Sequence, residues 1–570
     1  MGKYILETVL FMVAAIGALL LGFEILSSNV TKLFHTQLKK LFNKTSKNNM
    51  IGVGIGAAAT AIVQSSGATT VMVVGFVNTG IITLAQATAI IMGANIGTTV
   101  TAQLASLSSF DFGVFAIAFT GIGAFVTMLA KKERTKTIGS ALSGFGLLFL
   151  GLECISIAIA SEFQGEPVVK NFIRDILSSD LVSNSAAAPF LLFILGIVLT
   201  ALVQSSSLIT TIIISLTTAG IYIGAGPNAE TLTNNVLFLI LGTNIGSCVT
   251  ALISSIGTNT NAKRASIIHL LFNTFGSLIF LVLLLLWKDF MVVTFAKWFS
   301  APATQIAMFH TFFNTICTII FLPFINVFVK VSTLLVRDKK TQNEEHALMF
   351  VDERLFGTPS VAVHQVRKEL GMLYSKAHTA LNKAINAFLV KDDEAKREID
   401  RLNEELEVKN KLVIEYMVKL TNQDVVFEDE CSLSSFHRTL NDILRIGEIG
   451  DNIAKYTGKA VAQNLEFSPT VISQIKEMQT KINRLYDETS LVFESKSLDR
   501  LPIADAIEEE IDAMRKQMVD DHQERLNRKE CQPQNSGVYV NLVNNLERSA
   551  DHMVYIAYSV KEALEQSKKK

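Results

Sequence analysis

Two short strings, Gln64-Ser65-Ser66-Gly67 and Gln204-Ser205-Ser206-Ser207, set hydroxyl and amide groups in the middle of long apolar runs. Both side-chain types donate hydrogen bonds without carrying a charge. Where a helix restarts at such a string, its first backbone N–H groups lack intrahelical partners and carry the positive end of the helix dipole. Two restarts facing each other would surround a small oxyanion with donors and no fixed cation. The same hydroxyls, with nearby carbonyls, could ligate a hard cation such as sodium. A lone Ser-Ser in a membrane helix usually bonds to its own backbone or joins helices. The duplication favours a binding site.

A second duplicate accompanies the first. Gly93-Ala94-Asn95-Ile96-Gly97 recurs as Gly242-Thr243-Asn244-Ile245-Gly246. The glycines permit close helix packing, and Asn95 and Asn244 could meet either ligand or backbone. Thr98, Thr99, Thr101, Ser247 and Thr250 follow as candidate sodium ligands. His269-x-x-Phe-Asn273 and His310-x-x-Phe-Asn314 form a third duplicate. Each pair shares a helix face at i, i+4, which favours packing and hydrogen bonding over ligand binding. Glu24 and Glu153 lie near helix ends, where an interfacial place is expected ahead of ion coupling.

Long apolar segments must carry these groups. The 570-residue chain is 49% hydrophobic and 18% charged, with a mean hydropathy of +0.37, but the averages join two unlike halves. Charge is sparse up to about Lys330, and between Lys47 and Lys131 the only charged side chain is Asp111. A bilayer demands such a stretch and a soluble domain hardly tolerates it. Apolar segments fall near 4–26, 51–80, 81–105, 112–130, 136–160, 189–219, 232–256, 263–287 and 303–330. The first, Tyr4–Leu26, is too long for a signal-peptide core and reads as a retained transmembrane helix.

The segments at 51–80 and 189–219 are the two interrupted by Gln-Ser-Ser. Basic loops at Lys32, Lys39, Lys40, Lys44 and Lys47, at Lys131, Lys132, Arg134 and Lys136, at Lys263 and Arg264, and at Arg337, Lys339 and Lys340 are expected inside. The acidic loop with Glu162, Glu166, Asp175 and Asp180 is expected outside. Both are satisfied if each interrupted segment is a re-entrant hairpin, one entering from each side. Ala61-Ile-Val-Gln-Ser-Ser66 and Ala201-Leu-Val-Gln-Ser-Ser206 then belong to inverted repeats, which Gly22-Phe23-Glu24 and Gly151-Leu152-Glu153 open. The expected layout is a membrane domain over 1–335, with repeats at about 4–130 and 136–287 and an additional helix at 303–330. A charged linker over 336–357 and a cytoplasmic helical domain over 358–570 follow. Inverted repeats with discontinuous helices point to secondary transport.

The second half has helical periodicity, as in Ile399, Leu402, Leu406 and Val413. About six helices fit, divided into two threes where Ser468 is a plausible N-cap before Pro469. Glu547 and Asp551 lie one turn apart, fit for a metal or a solvated surface. Arg445-Ile-Gly-Glu448-Ile-Gly-Asp451 is related but has Gly447 in the place of the first carboxylate. Cys154, Cys248, Cys317, Cys431 and Cys531 are scattered, without a C-x-x-C, which argues against a disulfide framework or a zinc site. A net charge of -1 excludes a globally basic nucleic-acid binder. With no convincing nucleophile–base pair and no G-x-x-x-x-G-K-[ST] loop, an enzyme is not expected.

Over roughly residues 1–330 these strings resemble the type II sodium-dependent phosphate cotransporter family, whose signature is a duplicated Q-S-S in inverted repeats. Gly67 departs from the third serine that the second copy keeps as Ser207. The remainder resembles a PhoU domain, six helices in two three-helix repeats with E-x-x-x-D metal motifs. The resemblance implies an all-α polytopic membrane protein with inverted repeats and two re-entrant hairpins, plus a soluble six-helix PhoU-like domain. It implies inorganic phosphate as substrate, held by Gln64, Ser65, Ser66, Gln204, Ser205, Ser206, Ser207, Asn95 and Asn244, with sodium as coupling ion. It also implies a divalent or iron metal at Glu547, Asp551, Glu448 and Asp451. Membrane lipid is the expected surround, a homo-oligomer is compatible with the sequence, and the soluble domain would regulate the cycle. A phosphate sensor, an exporter, or a transporter of another oxyanion on the same fold are the alternatives.

Overall fold

The computed structural model describes residues 2–34, 37–38, 48–109, 112–177, 179–226, 229–337, 348–423 and 425–568. Lys39, Lys40, Lys44, Lys47, Asp111, Lys339 and Lys340, and linker residues 338–347, lie outside the described residues. The chain forms two compact units, Met1–Lys339 and Lys340–Lys570. Both are helical; among the described residues the only strand-like feature is an isolated bridge between Phe163 and Glu166.

The first unit begins with α1 (Gly2–Leu33), α2 (Asn49–Val63), α3 (Ser66–Asn78), α4 (Leu84–Ser106), α5 (Phe112–Leu129) and α6 (Glu133–Ala160). It continues with α7 (Val168–Leu177), α8 (Ala188–Val203), α9 (Ser206–Thr218), α10 (Asn235–Gly246), α11 (Cys248–Ser254), α12 (Thr260–Leu286), α13 (Pro302–Phe321) and α14 (Ile325–Leu335). Among the described residues six helices are long and apolar enough to cross a membrane. Each apolar segment read from the sequence is helical; the two holding Gln-Ser-Ser are each split in two, and 232–256 and 303–330 are also interrupted, at Ser247 and at Leu322–Phe324.

Local signals set several boundaries. Asn48 caps α2 by accepting from the Met50 N–H, and Thr83 with Gln86 forms a capping box at the start of α4. Glycine then decides the packing. A Cβ on Gly56 would lie 1.9 Å from the Ile90 carbonyl oxygen, one on Gly93 2.0 Å from that of Val53, and one on Gly97 2.4 Å from that of Ala57. The second repeat reproduces this between α8 and α10. There a Cβ on Gly196 would lie 2.2 Å from Leu239 O, on Gly242 2.1 Å from Phe193 O, and on Gly246 2.5 Å from Ile197 O. No side chain fits at these six positions, so α2 lies backbone to backbone on α4, and α8 on α10.

The opening helices of the repeats meet reciprocally. A Cβ on Gly22 of α1 would lie 2.4 Å from Leu148 N, and one on Gly151 of α6 2.6 Å from Leu19 N. Helix α13, read from the sequence as an addition after the repeats, makes a contact that matches one made by α12. Ser277 Oγ of α12 donates to Leu241 O at 3.1 Å, and Thr318 Oγ1 of α13 donates to Met92 O at 3.3 Å. Leu241 and Met92 each precede the glycine that opens a G-x-N-I-G string. The duplicated His-x-x-Phe-Asn strings on α12 and α13 mark this relation.

The second unit holds α15 (Pro359–Val390), α16 (Lys396–Thr421), α17 (Phe427–Ala462), α18 (Pro469–Ser495), α19 (Leu501–Asn527) and α20 (Ser536–Lys568). Ser468 accepts from the Val471 N–H and Pro469 takes the first helical position, so the division into two threes falls where the sequence placed it. Buried aromatics fill the core, and the Arg367 guanidinium lies 4.9 Å and 5.1 Å from the centroids of Phe436 and Phe493 while donating to Phe493 O.

The metal expected in this unit is not supported. Among the described residues no group of three or more His, Cys, Asp or Glu is arranged to hold an ion. Protein cations already engage the proposed ligands: Arg445 pairs with Glu448, Lys396 and Lys455 with Asp451, and Arg515 with Glu547. Gly447 supplies no ligand, and Asn403 fills the space beside it, 2.8 Å from where its Cβ would be. Burial, then the nearby Asp551 charge, pushes the Glu547 carboxyl up to about 7. Glu508 and Asp551 are raised as well, chiefly by burial.

Two outcomes follow. Gly93→Ala and Gly242→Ala should each destabilise the first unit by about 1–3 kcal/mol through overpacking, read as a lower unfolding temperature in detergent. Gly54→Ala, with nothing near its Cβ, should be neutral or stabilising. In the second unit the folded state holds the Glu547 proton to higher pH than the unfolded chain. Stability is therefore full below the ordinary glutamate value of 4.5 and declines as pH rises through about 7. Thermal unfolding at low salt from pH 5 to 8 should show that fall, and Glu547→Gln should flatten it.

Candidate functional site

The two Gln-Ser-Ser strings fold alike. Gln64 ends α2 at φ 56°, ψ 20°, and Gln204 ends α8 at φ 59°, ψ 23°, both in the left-handed region that non-glycine residues seldom occupy. Their N–H groups donate to Thr60 O at 2.6 Å and Thr200 O at 2.7 Å, which closes the preceding helix. Ser65 and Ser205 then turn to extended backbone, φ −142° in both, and cap the helix that restarts. Ser65 Oγ accepts from Ala68 N at 3.1 Å, and Ser205 Oγ accepts from Leu208 N at 3.2 Å. Each hydroxyl proton is left to donate elsewhere. The first-turn N–H groups of Ser66 and Gly67, and of Ser206 and Ser207, have no intrahelical acceptor. Ser66 and Ser206 are buried.

Each restarted helix packs on a helix from the other G-x-N-I-G region: α3 lies against α11, and α9 against α4. A Cβ on Gly67 would be 3.5 Å from Thr250 Cγ2, so the first restart lies beside a threonine of the second repeat. That distance is ordinary van der Waals contact, so crowding does not account for the missing third serine. Helices α2, α3, α4, α8, α9, α10 and α11 contain no Asp, Glu, Lys or Arg. The field around the breaks therefore comes from dipoles alone.

Asn95 and Asn244 are buried, and both amide nitrogens are tied to their own helices, Nδ2 donating to Ile91 O at 3.0 Å and to Ile240 O at 2.9 Å. Each can still offer its oxygen and its second N–H. Thr98, Thr99 and Ser247 bond back to Ala94 O, Ile96 O and Asn244 O. Thr101 and Thr250 differ: their hydroxyls are buried and have no partner among the described residues. Two further pairs share this property and were missed from the sequence, Thr60 with Thr200 and Thr70 with Thr210. Their signal was present, since each pair sits at the same offset from its glutamine, four residues before and six after. A buried hydroxyl without a partner costs about 1–3 kcal/mol. Three repeat-related pairs of such hydroxyls mark the interior as polar by construction.

Other candidates lie apart from this chemistry. The rings of His269 and His310 are buried and, among the described residues, unpartnered, while Asn273 and Asn314 donate to the carbonyls of those histidines. Glu24 and Glu153 are exposed on α1 and α6. Glu448, Asp451, Glu547 and Asp551 belong to the second unit.

Residues 18–156 match the model of the Na+/Pi-cotransporter family. The "Putative inorganic phosphate export protein YjbB" of Escherichia coli (strain K12) is 23% identical over 97% of this chain and 98% of its own length. The "Sodium-dependent phosphate transport protein 2B" of Homo sapiens is 37% identical over 18% of this chain and 16% of its own length. Among solved structures, PhoU from Pseudomonas aeruginosa aligns with 35% of this chain and 95% of its own, at 16% identity and a TM-score of 0.33. Over residues 18–156 this chain is similar to the Na+/Pi-cotransporter family, and these relatives, with the apolar helices, point to a membrane transporter.

Proposed function

We propose that the first unit moves inorganic phosphate across the membrane in company with sodium, holding the anion between the two helix breaks. The observation that carries this reading is the matched geometry at Gln64-Ser65-Ser66 and Gln204-Ser205-Ser206. Two capped helix starts of the same conformation stand in helices free of charge. The breaks are read as tips of re-entrant hairpins entering from opposite sides. Gln64, Gln204 and the serine hydroxyls, including Ser207, would donate to phosphate oxygens together with the first-turn N–H groups.

Magnitudes favour a co-transported cation. Each helix start contributes roughly half a positive charge, so two offset about one unit of negative charge. A phosphate dianion would retain about one more, and isolated buried charge is costly. Sodium bound nearby removes that excess. The side-chain oxygens of Asn95 and Asn244 suit a cation better than an anion, as do the unpartnered Thr101 and Thr250 hydroxyls. Thr98, Thr99 and Ser247, already bonded to their helices, are weaker ligands. The basic loops read from the sequence favour a cytoplasmic second unit, which would adjust the cycle.

Net export is a second reading, favoured by the name of the Escherichia coli relative, which matches over 98% of its own length. It uses the same site with the gradient reversed. Purified protein in liposomes should take up labelled phosphate only with an inward sodium gradient, and should release it when that gradient is reversed. Replacing Ser65, Ser66, Ser205 and Ser206 by alanine removes hydrogen bonds to a charged ligand, worth about 1.5–3 kcal/mol each. Even one substitution should lower transport at limiting phosphate by about tenfold or more. Phosphate binding without sodium and without uptake would replace the transporter reading by a receptor, and full activity in the fourfold variant would remove the breaks from the site.

A further inference from the structure

The two breaks match in backbone but differ in cover. Ser27 Oγ of α1 donates to Val63 O at 2.6 Å, satisfying the last carbonyl of α2 before the first break. Ser27 corresponds in sequence to Ser156 of α6: each lies five residues after the glycine at the α1–α6 crossing, Gly22 or Gly151. Val63 likewise corresponds to Val203. Yet the Ser156 hydroxyl makes no hydrogen bond among the described residues. Val203 is 44% exposed where Val63 is 5%, and Gln204 is exposed where Gln64 is half-buried. Besides its main contact with α6, helix α1 packs on α2, whereas α6, held mainly by α1 and α5, makes a further contact with α9.

We propose that Ser27 and Ser156 are alternate latches. In this structure Ser27 holds the first break covered while Ser156 is released and the second break stands open. In the opposite state Ser156 Oγ donates to Val203 O, Ser27 lets go of Val63, and the exposure of the two breaks is exchanged. Both serines act through the helix ends they hold and touch no phosphate, so they are positioning residues. The proposal rests on the transport reading, since only an alternation of access requires two states. A single neutral hydrogen bond biases such an equilibrium by about 3- to 10-fold, enough to pace a cycle without locking it.

The test uses the full chain in liposomes with Val63→Cys or Val203→Cys as reporter. Modification by a small membrane-permeant maleimide is read by mass spectrometry at the reporter, so the native cysteines remain. With both serines present, Val203→Cys should label several-fold faster than Val63→Cys. Ser27→Ala should raise labelling at Val63→Cys by about 3- to 10-fold and lower it at Val203→Cys, and Ser27→Thr, which keeps the hydroxyl, should restore the original ratio. Ser156→Ala should leave Val63→Cys no faster and should slow phosphate exchange. Equal labelling of the two reporters, or rates unmoved by Ser27→Ala, would overturn the latch. A labelling shift in a protein that takes up no phosphate would support the latch and overturn the transport reading instead.

Discussion

The first unit depends on ending a helix where water is scarce. A backbone broken inside a bilayer exposes N–H and C=O groups that must find partners in the protein, and each failure costs several kcal/mol. Here both breaks use the same device. A left-handed glutamine returns its N–H to the helix it ends, and the next serine caps the helix that begins. The few donors left over are gathered at one point in each repeat. The proposed function is built from what the device leaves unsatisfied.

That device would come apart if the helices around it were loosely held. The glycine contacts between α2 and α4, and between α8 and α10, fix the breaks against the G-x-N-I-G helices with carbonyls where side chains would otherwise stand. Close packing of this kind supplies rigidity in a medium that gives no hydrophobic drive between helices. It also explains why the asparagines can be spared. With the helices held by backbone contact, Asn95 and Asn244 need only one bond each to their own turns, which leaves an oxygen and an N–H apiece.

Much of this was legible before any coordinates. Duplicated strings gave the repeats, polar interruptions gave the breaks, and Ser468-Pro469 gave the division of the second unit, because each signal is local and survives in a one-dimensional string. The matching contacts of α12 and α13 were harder to see. They depend on two helices adjacent in sequence that pack on different repeats, and Ser277 and Thr318 reveal them only through carbonyls far away in the chain. The orphan hydroxyls of Thr60, Thr70, Thr200 and Thr210 were also hidden, since a threonine in a membrane helix ordinarily bonds to its own turn. The metal reading failed for a related reason. Carboxylate spacing shows which side chains share a helix face, as with Lys455 one turn after Asp451, but it does not show that Lys396 and Arg515 reach those carboxylates from other helices.

Sequence symmetry and structural asymmetry together carry the last step. Two repeats with the same break chemistry would, if equally covered, present a bound anion to both sides or to neither. A gradient can be used only if one side is closed while the other is open, so the difference between the covered Val63 and the exposed Val203 is the kind a transporter needs. The difference must also be small in free energy, because the cycle has to pass through its mirror image. A single hydroxyl–carbonyl bond that can be made in either repeat satisfies both demands. A charged latch would be too strong for this neutral interior, and a purely apolar one would not distinguish the carbonyl exposed at a helix break from any other surface.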